Sequence, residues 1–168
     1  TRYDGIRQTW LTDVARGVRG GSSTIDFSSL SSIDIVRGAD SSSSGAGVLG
    51  GLVDVSSIGP ADLLTEGKHF AGLFKTGYRS VDQSWLTNLG LASQLAPGSQ
   101  LMLQAGLQSG REQSNMGTTD VYGTNRTLPD PDHYLQENYQ LKLIQKIDAA
   151  HTLGLSGTYF NRQDNIQN

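Results

Sequence analysis

A run of closely spaced glycines is the pattern whose residue types and spacing best suggest chemistry. The segment Gly45-Ala-Gly47-Val-Leu-Gly50 has the G-x-G-x-x-G spacing with which dinucleotide-binding proteins hold a pyrophosphate. That site requires a strand directly before the first glycine and a helix that begins there. Here residues 38–44 separate the preceding β-prone segment from Gly45, and the β-prone residues Leu52–Val55 follow. A dinucleotide-binding enzyme predicts a helix from Val48 onward, whereas a strand at Leu52–Val55 would exclude it.

The other reactive residue types do not form a recognisable site. His69, His133 and His151 are scattered along the chain, and no two of them stand at metal-ligand spacing. The chain has no Cys, which excludes a thiolate zinc site and a disulfide scaffold. The serine tract Ser41–Ser44 does not fit the G-x-S-x-G pattern of a serine nucleophile. We therefore predict no catalytic residue, no metal site and no enzymatic activity.

Composition limits the class of protein. The chain has 168 residues, of which 17% are charged and 21 are Gly, so it carries less charge and more glycine than a typical soluble domain. Its formal net charge of −3 gives no electrostatic basis for binding nucleic acid. The mean hydropathy is −0.35, and no run approaches the roughly 18 apolar residues of a membrane-spanning helix. Strands of a transmembrane β-barrel remain compatible with these values, because only alternate residues of each strand face lipid.

The first third of the chain reads as short elements joined by loops. Residues from Ile33 to Gly38 and from Leu52 to Val55 are predicted strands. Gln8–Ser23 is polar and rich in Gly, which predicts an exposed loop. Thr24–Phe27 is predicted as a short strand and Ser28–Ser32 as a brief turn or helix.

From Gly67 onward the sequence alternates between apolar and polar residues. We predict five strands of roughly the length that a tilted strand needs to cross a bilayer: 68–78, 85–96, 100–112, 138–147 and 152–161. The connections 96–99 and 148–151 are tight turns, whereas Gln113–Glu137 is a long polar loop. Short turns at one end and longer loops at the other are typical of outer-membrane barrels.

Side-chain parity separates each predicted strand into an apolar and a polar face. The apolar parity comprises Phe70, Phe74, Tyr78, Trp85, Leu89, Leu91, Leu95, Leu101, Leu103, Ala105, Leu107, Tyr139, Leu141, Leu143, Leu153, Leu155 and Tyr159. The opposite parity comprises Asn88, Gln94, Gln104, Gln108, Gln140, Lys142, Lys146, Ser156 and Thr158. On an up-and-down path, four aromatic residues of the apolar parity fall at the same end: Tyr78, Trp85, Tyr139 and Tyr159. This placement predicts an interfacial aromatic girdle.

The glycine-rich segment also resembles the end of the plug domain in TonB-dependent outer-membrane receptors, whose pattern is approximately V-E-V-L-R-G-P-x-S-x-L-Y-G-S-G-A-I-G-G-V-V-N. The matching motif residues, to which the resemblance gives a structural role, are Arg37, Gly38, Gly45, Gly47, Gly50 and Gly51. Departures from the pattern are Ala39, Ser43-Ser44 and Asp54. Asp4-Gly5-Ile6-Arg7-Gln8 is similar to the D-G-V-R-Q segment of the haem/haemoglobin receptor branch, and Gly59–Leu64 resembles that branch's connection into the barrel.

The resemblance implies a mainly β fold: the C-terminal part of a mixed α/β plug at 1–56, a linker at 57–66, and the first five antiparallel strands of an incomplete transmembrane β-barrel at 67–168. Because five strands cannot close a barrel, and an open sheet edge is not tolerated in lipid, we expect the chain to be an internal fragment. The intact protein is expected in the outer membrane of a Gram-negative bacterium, in contact with its lipid. A TonB complex would act through a segment upstream of Thr1.

The expected function is uptake of an iron-bearing ligand, namely haem or a haemoprotein. Haem or a ferric chelate is then transported cargo, and no cofactor is bound permanently. Ligand-facing residues are expected in the plug loop and in the long loop: Trp10, Arg16, Arg19, Tyr122, Arg126, His133 and Tyr134. Two alternatives stay open, namely a siderophore receptor of the same family and a passive porin or adhesin barrel. The porin or adhesin explains the strands but not the plug-like segment.

Overall fold

The chain is mainly β, as the sequence predicts. A computed structural model describes residues 1–8, 11–13, 17–19, 25–38, 51–65 and 67–166. The chain divides into two units, Thr1–Asp62 and Leu63–Asn168. No helix in the described part of the chain is long and apolar enough to cross a membrane.

The first unit contains a four-stranded sheet with the order β2-β1-β6-β5. Its described elements are β1 (Arg2–Tyr3), β2 (Ile6–Arg7), β3 (Leu11–Asp13), β4 (Gly17–Arg19), a 3-10 turn (Phe27–Ser29), β5 (Leu30–Arg37), β6 (Gly51–Ser57) and helix α1 (Pro60–Leu63), which ends at the boundary with the second unit. Strands β5 and β6 are antiparallel, whereas β1 and β6 are parallel. The apolar core of this unit includes Ile25, Leu52, Val55 and Ile58, all buried.

Asp4 and Gly5 form the tight turn between β1 and β2. Both have positive φ angles, 47° and 78°, which is the backbone conformation of a two-residue hairpin turn. The Asp4 carboxylate then accepts hydrogen bonds from the backbone N–H and the hydroxyl of Ser57, at 2.8 and 2.5 Å. The turn is therefore tied to the end of β6, fifty-three residues along the chain.

Two predictions in this unit were wrong. The predicted exposed loop Gln8–Ser23 contains the paired strands β3 and β4, in which the β-branched residues Thr12 and Val18 lie opposite each other. The described residues of the predicted strand Thr24–Phe27 do not form a strand. Instead, the Asp26 carboxylate accepts a hydrogen bond from the Ser28 N–H at 3.0 Å and caps the 3-10 turn, after which β5 begins at Leu30.

The structure excludes the dinucleotide-binding interpretation. Residues Gly51–Ser57 form strand β6, where a Rossmann-type phosphate site requires a helix. The predicted linker 57–66 also contains the short helix α1, which was not expected. Pro60 occupies its first position, where a missing N–H costs nothing, and the Asp62 carboxylate accepts a hydrogen bond from the Gly59 N–H at 2.7 Å.

The second unit is a five-stranded antiparallel sheet in which every strand pairs with its neighbour in sequence. Its strands are β7 (Phe70–Arg79), β8 (Ser84–Ala96), β9 (Ser99–Arg111), β10 (Asp132–Lys146) and β11 (Thr152–Ile166). The five predicted antiparallel strands are thereby confirmed. The first three begin and end within two residues of the predicted positions.

The last two strands are longer than predicted. Strand β10 begins at Asp132 instead of 138, and β11 continues to Ile166 instead of 161. The predicted loop Gln113–Glu137 is accordingly shortened to residues 112–131, hereafter the long loop. The additional residues remain paired in register, because His133 lies opposite both Arg111 and Asn165. Backbone pairing therefore continues beyond the end of the apolar alternation that the prediction followed.

The two faces of this sheet have the reverse of the usual burial. Large apolar side chains are exposed, including Phe74 at 66%, Trp85 at 60% and Leu155 at 61%. On the opposite face, polar side chains are buried: Asn88, Gln104, Gln136, Asn138 and Gln140. The Gln104 amide donates a hydrogen bond to the Asn88 side-chain oxygen at 2.8 Å. The predicted separation into an apolar and a polar face is confirmed.

Candidate functional site

The candidate site lies at the end of the five-stranded sheet where the long loop begins. The turn between β7 and β8, residues 80–83, runs beside the root of the long loop. The Arg111 N–H donates to the Asp82 carbonyl at 2.9 Å, and the Ser114 N–H donates to the Val81 carbonyl at 3.0 Å. These two bonds join the short connection to the long one.

A buried carboxylate organises this end of the sheet. Asp82 is 2% exposed and accepts hydrogen bonds from Arg79, at 2.9 Å from Nε and through a second guanidinium nitrogen. The Tyr134 hydroxyl donates to the same carboxylate at 2.7 Å and accepts a hydrogen bond from the Gln108 amide at 2.9 Å. We call Arg79, Asp82, Gln108 and Tyr134 the Asp82 cluster. It links the β7–β8 turn to β9 and β10.

The Asp82 cluster holds its carboxylate in the charged form. The hydrogen bonds from Arg79 are the main reason that the pKa of Asp82 lies well below its usual range, and the Tyr134 hydroxyl acts in the same direction. Burial opposes this shift, because removing a carboxylate from water favours the neutral acid. The hydrogen bonds outweigh the burial, so the cluster is ionised at neutral pH.

Tyr134 also contacts β9 and β11. The guanidinium of Arg162 on β11 lies 4.0 Å from the centroid of the Tyr134 ring, which is cation–π geometry. On β9, a Cβ atom at Gly110 would come within 2.7 Å of the Tyr134 ring and of Ser84. Glycine at this position therefore leaves room for the ring.

The long loop has its own hydrogen-bonded frame. The Asn115 amide donates to the Thr127 carbonyl at 3.0 Å, and the Thr119 N–H donates to the Thr127 hydroxyl at 3.0 Å. The N–H of Thr127 donates back to the Thr119 carbonyl at 3.1 Å. A Cβ atom at Gly117 would overlap the Thr127 carbonyl oxygen, so only glycine fits there without a shift of the backbone. The two halves of the loop are thus held together across its middle.

Arg126 supplies the ionic part of this frame. Its guanidinium forms ion pairs with Asp120 and, at 3.1 Å, with Asp130. It also donates hydrogen bonds to the carbonyls of Leu128 and Pro129, at 3.1 and 3.3 Å. The charge of Arg126 is therefore neutralised within the loop, and its side chain is only 21% exposed.

At the root of the loop, hydrogen bonds between Glu112 and Asp132 join the first residue of the long loop to the first residue of β10. The Glu112 N–H donates to the Asp132 carbonyl, and the Asp132 N–H donates to the Glu112 carboxylate, each at 3.0 Å. The bond from the Asp132 N–H is the largest cause of a lowered pKa for Glu112.

Large side chains stand out from this framed loop. Met116 is 99% exposed and Tyr122 is 95% exposed. Tyr122 and Leu128 line an open groove of about 670 Å³, together with Pro129 and Asp130. The loop thus presents apolar and aromatic surface to its surroundings while its charged side chains face one another.

Of the seven residues predicted to face a ligand, five lie in the described part of the chain, and they do not form one site. Trp10 and Arg16 lie outside the described residues, and Arg19 lies in β4. Tyr122 and Arg126 lie together in the long loop, where Tyr122 is exposed and Arg126 is occupied by its ion pairs. His133 is exposed, whereas Tyr134 on the other face of β10 is 5% exposed with its hydroxyl engaged, which favours a structural role for Tyr134.

Sequence reasoning missed Arg79, Asp82 and Gln108. The spacing of Arg79 and Asp82, three residues apart across a predicted connection, was the available signal of an ion pair. Gln108 was identified only as a member of the polar face. Its contact with Tyr134 depends on the register of β9 and β10, in which Gln108 lies opposite Gln136.

The plug-like motif is described only at its two ends. Arg37 is the last residue of β5 and is exposed, and Gly38 follows it with a φ of 96°. Gly51 begins β6 with a φ of 132°, and a Cβ atom there would lie 2.7 Å from the Val36 carbonyl oxygen. Gly45, Gly47 and Gly50 lie outside the described residues.

The four aromatic residues of the predicted girdle form two cross-strand pairs. Tyr78 and Trp85 have ring centroids 5.2 Å apart, and Tyr139 and Tyr159 have centroids 6.0 Å apart. All four side chains are about half exposed. In the register of the sheet, Tyr139 shares a row with Leu89, which lies four residues from Trp85 along β8.

The described residues contain no group of three His, Asp or Glu side chains placed to hold a metal ion. No protein-family model matches the chain. It is 36% identical over 75 residues to lactoferrin-binding protein A from Neisseria meningitidis, in both the serogroup B and the serogroup A sequence; the match covers 45% of this chain and 8% of that protein.

A second match covers more of the chain. It is 29% identical over 136 residues to hemoglobin-haptoglobin-binding protein A from Haemophilus influenzae, which is 79% of this chain and 13% of that protein. The chain therefore spans roughly a tenth of the length of the curated relatives that it matches. Within these limits it is similar to proteins that are named for binding lactoferrin and hemoglobin-haptoglobin.

Proposed function

We propose that this chain is part of a TonB-dependent outer-membrane receptor that obtains iron from a host iron-bearing protein. The observation that carries the proposal is the reversed burial of the five-stranded sheet. Exposing Phe74, Trp85 and Leu155 to water would be unfavourable, at roughly 25 cal/mol per Å² of apolar surface. The same exposure is favourable when the neighbouring solvent is lipid, and the polar side chains then line the interior, as in outer-membrane barrels.

The stagger of the aromatic pairs supports a membrane position. The two pairs are four residues apart along the strands, or about 13 Å, and three strand spacings apart across the sheet, or about 14 Å. A strand tilt of about 43° brings two such pairs to one level, and strands of transmembrane barrels tilt by about 35–45°. A single aromatic belt at headgroup depth is thus compatible with the observed register.

The nature of the ligand is proposed from the relatives. Both kinds of relative are named for binding a host protein, lactoferrin in one and haemoglobin–haptoglobin in the other. The resemblance of residues 33–53 to a plug segment adds TonB-driven passage of the iron-bearing cargo, haem or ferric iron, through the barrel. The proposal assigns binding and transport to the chain and no catalytic step.

The test uses the full-length gene in its own bacterium. Strains with the gene deleted, and with the gene restored, are grown with lactoferrin, haemoglobin–haptoglobin, free haem or a ferric siderophore as the sole iron source. We expect deletion to abolish growth on one of the two host proteins and restoration to recover it. A parallel strain that lacks TonB should lose the same growth.

Each contrary result has a distinct meaning. Loss of growth on the siderophore alone would replace the host-protein receptor with a siderophore receptor. Unchanged growth on every source, with the protein present in the outer membrane, would refute uptake and favour a passive porin or an adhesin.

A further inference from the structure

We propose that the long loop binds the protein part of the ligand through the surface around Tyr122, and that Arg126 braces the loop. This inference rests on the proposed function, because it names the chemistry of the partner at one receptor loop. It assigns different roles to Tyr122 and Arg126, both of which the sequence predicts to face a ligand.

The exposure of two large side chains is the first observation. Met116 and Tyr122 are almost fully accessible, at 99% and 95%, on a loop whose halves are joined by hydrogen bonds between Asn115, Thr119 and Thr127. An ordered loop loses less conformational freedom when it binds than a disordered one does. Tyrosine is also among the residues that contribute most to protein–protein binding.

The internal neutralisation of Arg126 is the second observation. Its ion pairs with Asp120 and Asp130 leave its charge already compensated. Arg126 is the single basic residue of the long loop, whereas Glu112, Asp120 and Asp130 are acidic, so residues 112–131 carry a formal charge of −2. Such a loop disfavours the carboxylates of haem and of many iron chelates. It suits an apolar protein patch with basic residues at its edge.

The groove beside Tyr122 is the third observation. Its apolar and aromatic lining consists of Tyr122, Leu128 and Pro129. Polar and charged residues complete the lining: Asn115, Thr124, Arg126, Thr127 and Asp130, of which Asp130 is 52% exposed. A lysine or arginine of the partner can place its aliphatic stem against Leu128 and Pro129 and its charged end near the Asp130 carboxylate. The Tyr122 ring can also accept a cation–π contact. The groove thus accounts for both the apolar and the basic character of the expected partner surface.

The test measures equilibrium binding of lactoferrin, haemoglobin–haptoglobin and haem to the full-length receptor in outer-membrane vesicles. The variants are Tyr122→Ala, Tyr122→Phe and Met116→Ala. The control is Val81→Ala, since Val81 is an exposed apolar residue, 44% accessible, in the neighbouring turn. Immunodetection on whole cells verifies equal surface amounts of each variant.

We expect Tyr122→Ala to weaken binding of the recognised host protein by about 30-fold, the effect of losing a major interface residue. Val81→Ala should bind as the unaltered receptor does, whereas Tyr122→Phe, which keeps the ring, should recover most of the binding that Tyr122→Ala loses. Haem binding should be the same in all variants. Higher salt should weaken binding of the host protein, because the edge of the contact is electrostatic.

Two results would overturn the inference while the proposed function survives. The first is that the Tyr122→Ala receptor binds the host protein as tightly as the unaltered receptor does. The second is that Tyr122→Ala weakens the binding of haem as well as the binding of the host protein. An unaltered receptor that binds neither host protein would instead refute the proposed function.

Discussion

The hydroxyl of Tyr134 provides the sharpest test of how the long loop is held. Tyr134→Phe removes one oxygen atom and leaves the ring packed beside Gly110 and under Arg162. The main loss is the 2.7 Å hydrogen bond to the ionised carboxylate of Asp82, which is 2% exposed. The hydroxyl also ceases to accept hydrogen bonds from Gln108 at 2.9 Å and from Arg79 at 3.3 Å. Hydrogen bonds to charged groups contribute about 1.5–3 kcal/mol. The hydrogen bonds from Arg79 remain, so the carboxylate stays ionised and the loss is confined to the bonds of the Tyr134 hydroxyl.

The consequence should appear in the amides that join the β7–β8 turn to the root of the long loop. The N–H groups of Arg111 and Ser114 donate to carbonyls of that turn and exchange with solvent only when the turn separates from the loop. A loss of 1.5–3 kcal/mol predicts exchange about 10- to 150-fold faster at both amides. The assay is hydrogen–deuterium exchange with mass spectrometry on the full-length protein in detergent micelles.

Tyr122→Phe is the matched control, since it removes a hydroxyl from a tyrosine that is 95% exposed on the same loop. It should leave exchange at Arg111 and Ser114 unchanged. If Tyr134→Phe accelerates these amides less than about threefold, the Asp82 cluster does not hold the loop root. If both substitutions accelerate them equally, the effect does not come from the bond between Tyr134 and Asp82.

Three further predictions concern the same sheet. Folding lowers the pKa of Asp82 from 3.8, so the stabilisation from its charged form is complete at pH values above 3.8 and decreases as the pH falls below that value. Amide exchange at the loop root, measured from pH 6 down to pH 3, should therefore accelerate beyond the intrinsic effect of pH. A flat profile would contradict an ionised Asp82 cluster. Gly110→Ala should lower the free energy of unfolding by about 1–3 kcal/mol through overpacking, whereas Gly157→Ala, where a Cβ meets nothing within 4 Å, should be close to neutral in the same denaturant titration. Leu103→Arg, in the middle of the apolar run of β9, should lower the free energy of unfolding in lipid vesicles by about 2–4 kcal/mol. Ser109→Arg, nearer the loop end of β9, should lower it by only about 0–1 kcal/mol. Equal losses would argue against a lipid-facing sheet.

The alternation of side chains made the five-stranded sheet predictable, because a period of two assigns both the strand and its two faces. It did not give the ends of β10 and β11. Residues 132–137 include Asp132, His133 and Glu137, which suit a solvated strand as well as a loop. Only pairing with the neighbouring strands on both sides decides between the two, and that pairing is not visible within the segment itself.

The Asp82 cluster was beyond sequence reasoning for a related reason. Arg79 and Tyr134 are separated by 55 residues, and Gln108 lies on a third strand. Strand register and the room left by Gly110 bring them together. For Arg126, the acidic residues at positions 120 and 130 were visible, but a polar loop has no periodicity that shows which charges pair internally. Its interpretation as a ligand contact therefore rested on residue type alone.

In the proposed outer-membrane receptor, the extension of β10 and β11 beyond the aromatic pairs would determine how far the long loop stands from the membrane. Seven residues separate Tyr139 from the start of β10 at Asp132, which is about 23 Å of strand and, at a tilt of about 43°, about 17 Å of height. A loop raised this far above the lipid headgroups is within reach of antibodies as well as of a host protein. Immune selection would then favour sequence change at exposed loop positions that the ligand does not need, while Tyr122 and the buried Asp82 and Tyr134 that support the loop would be retained.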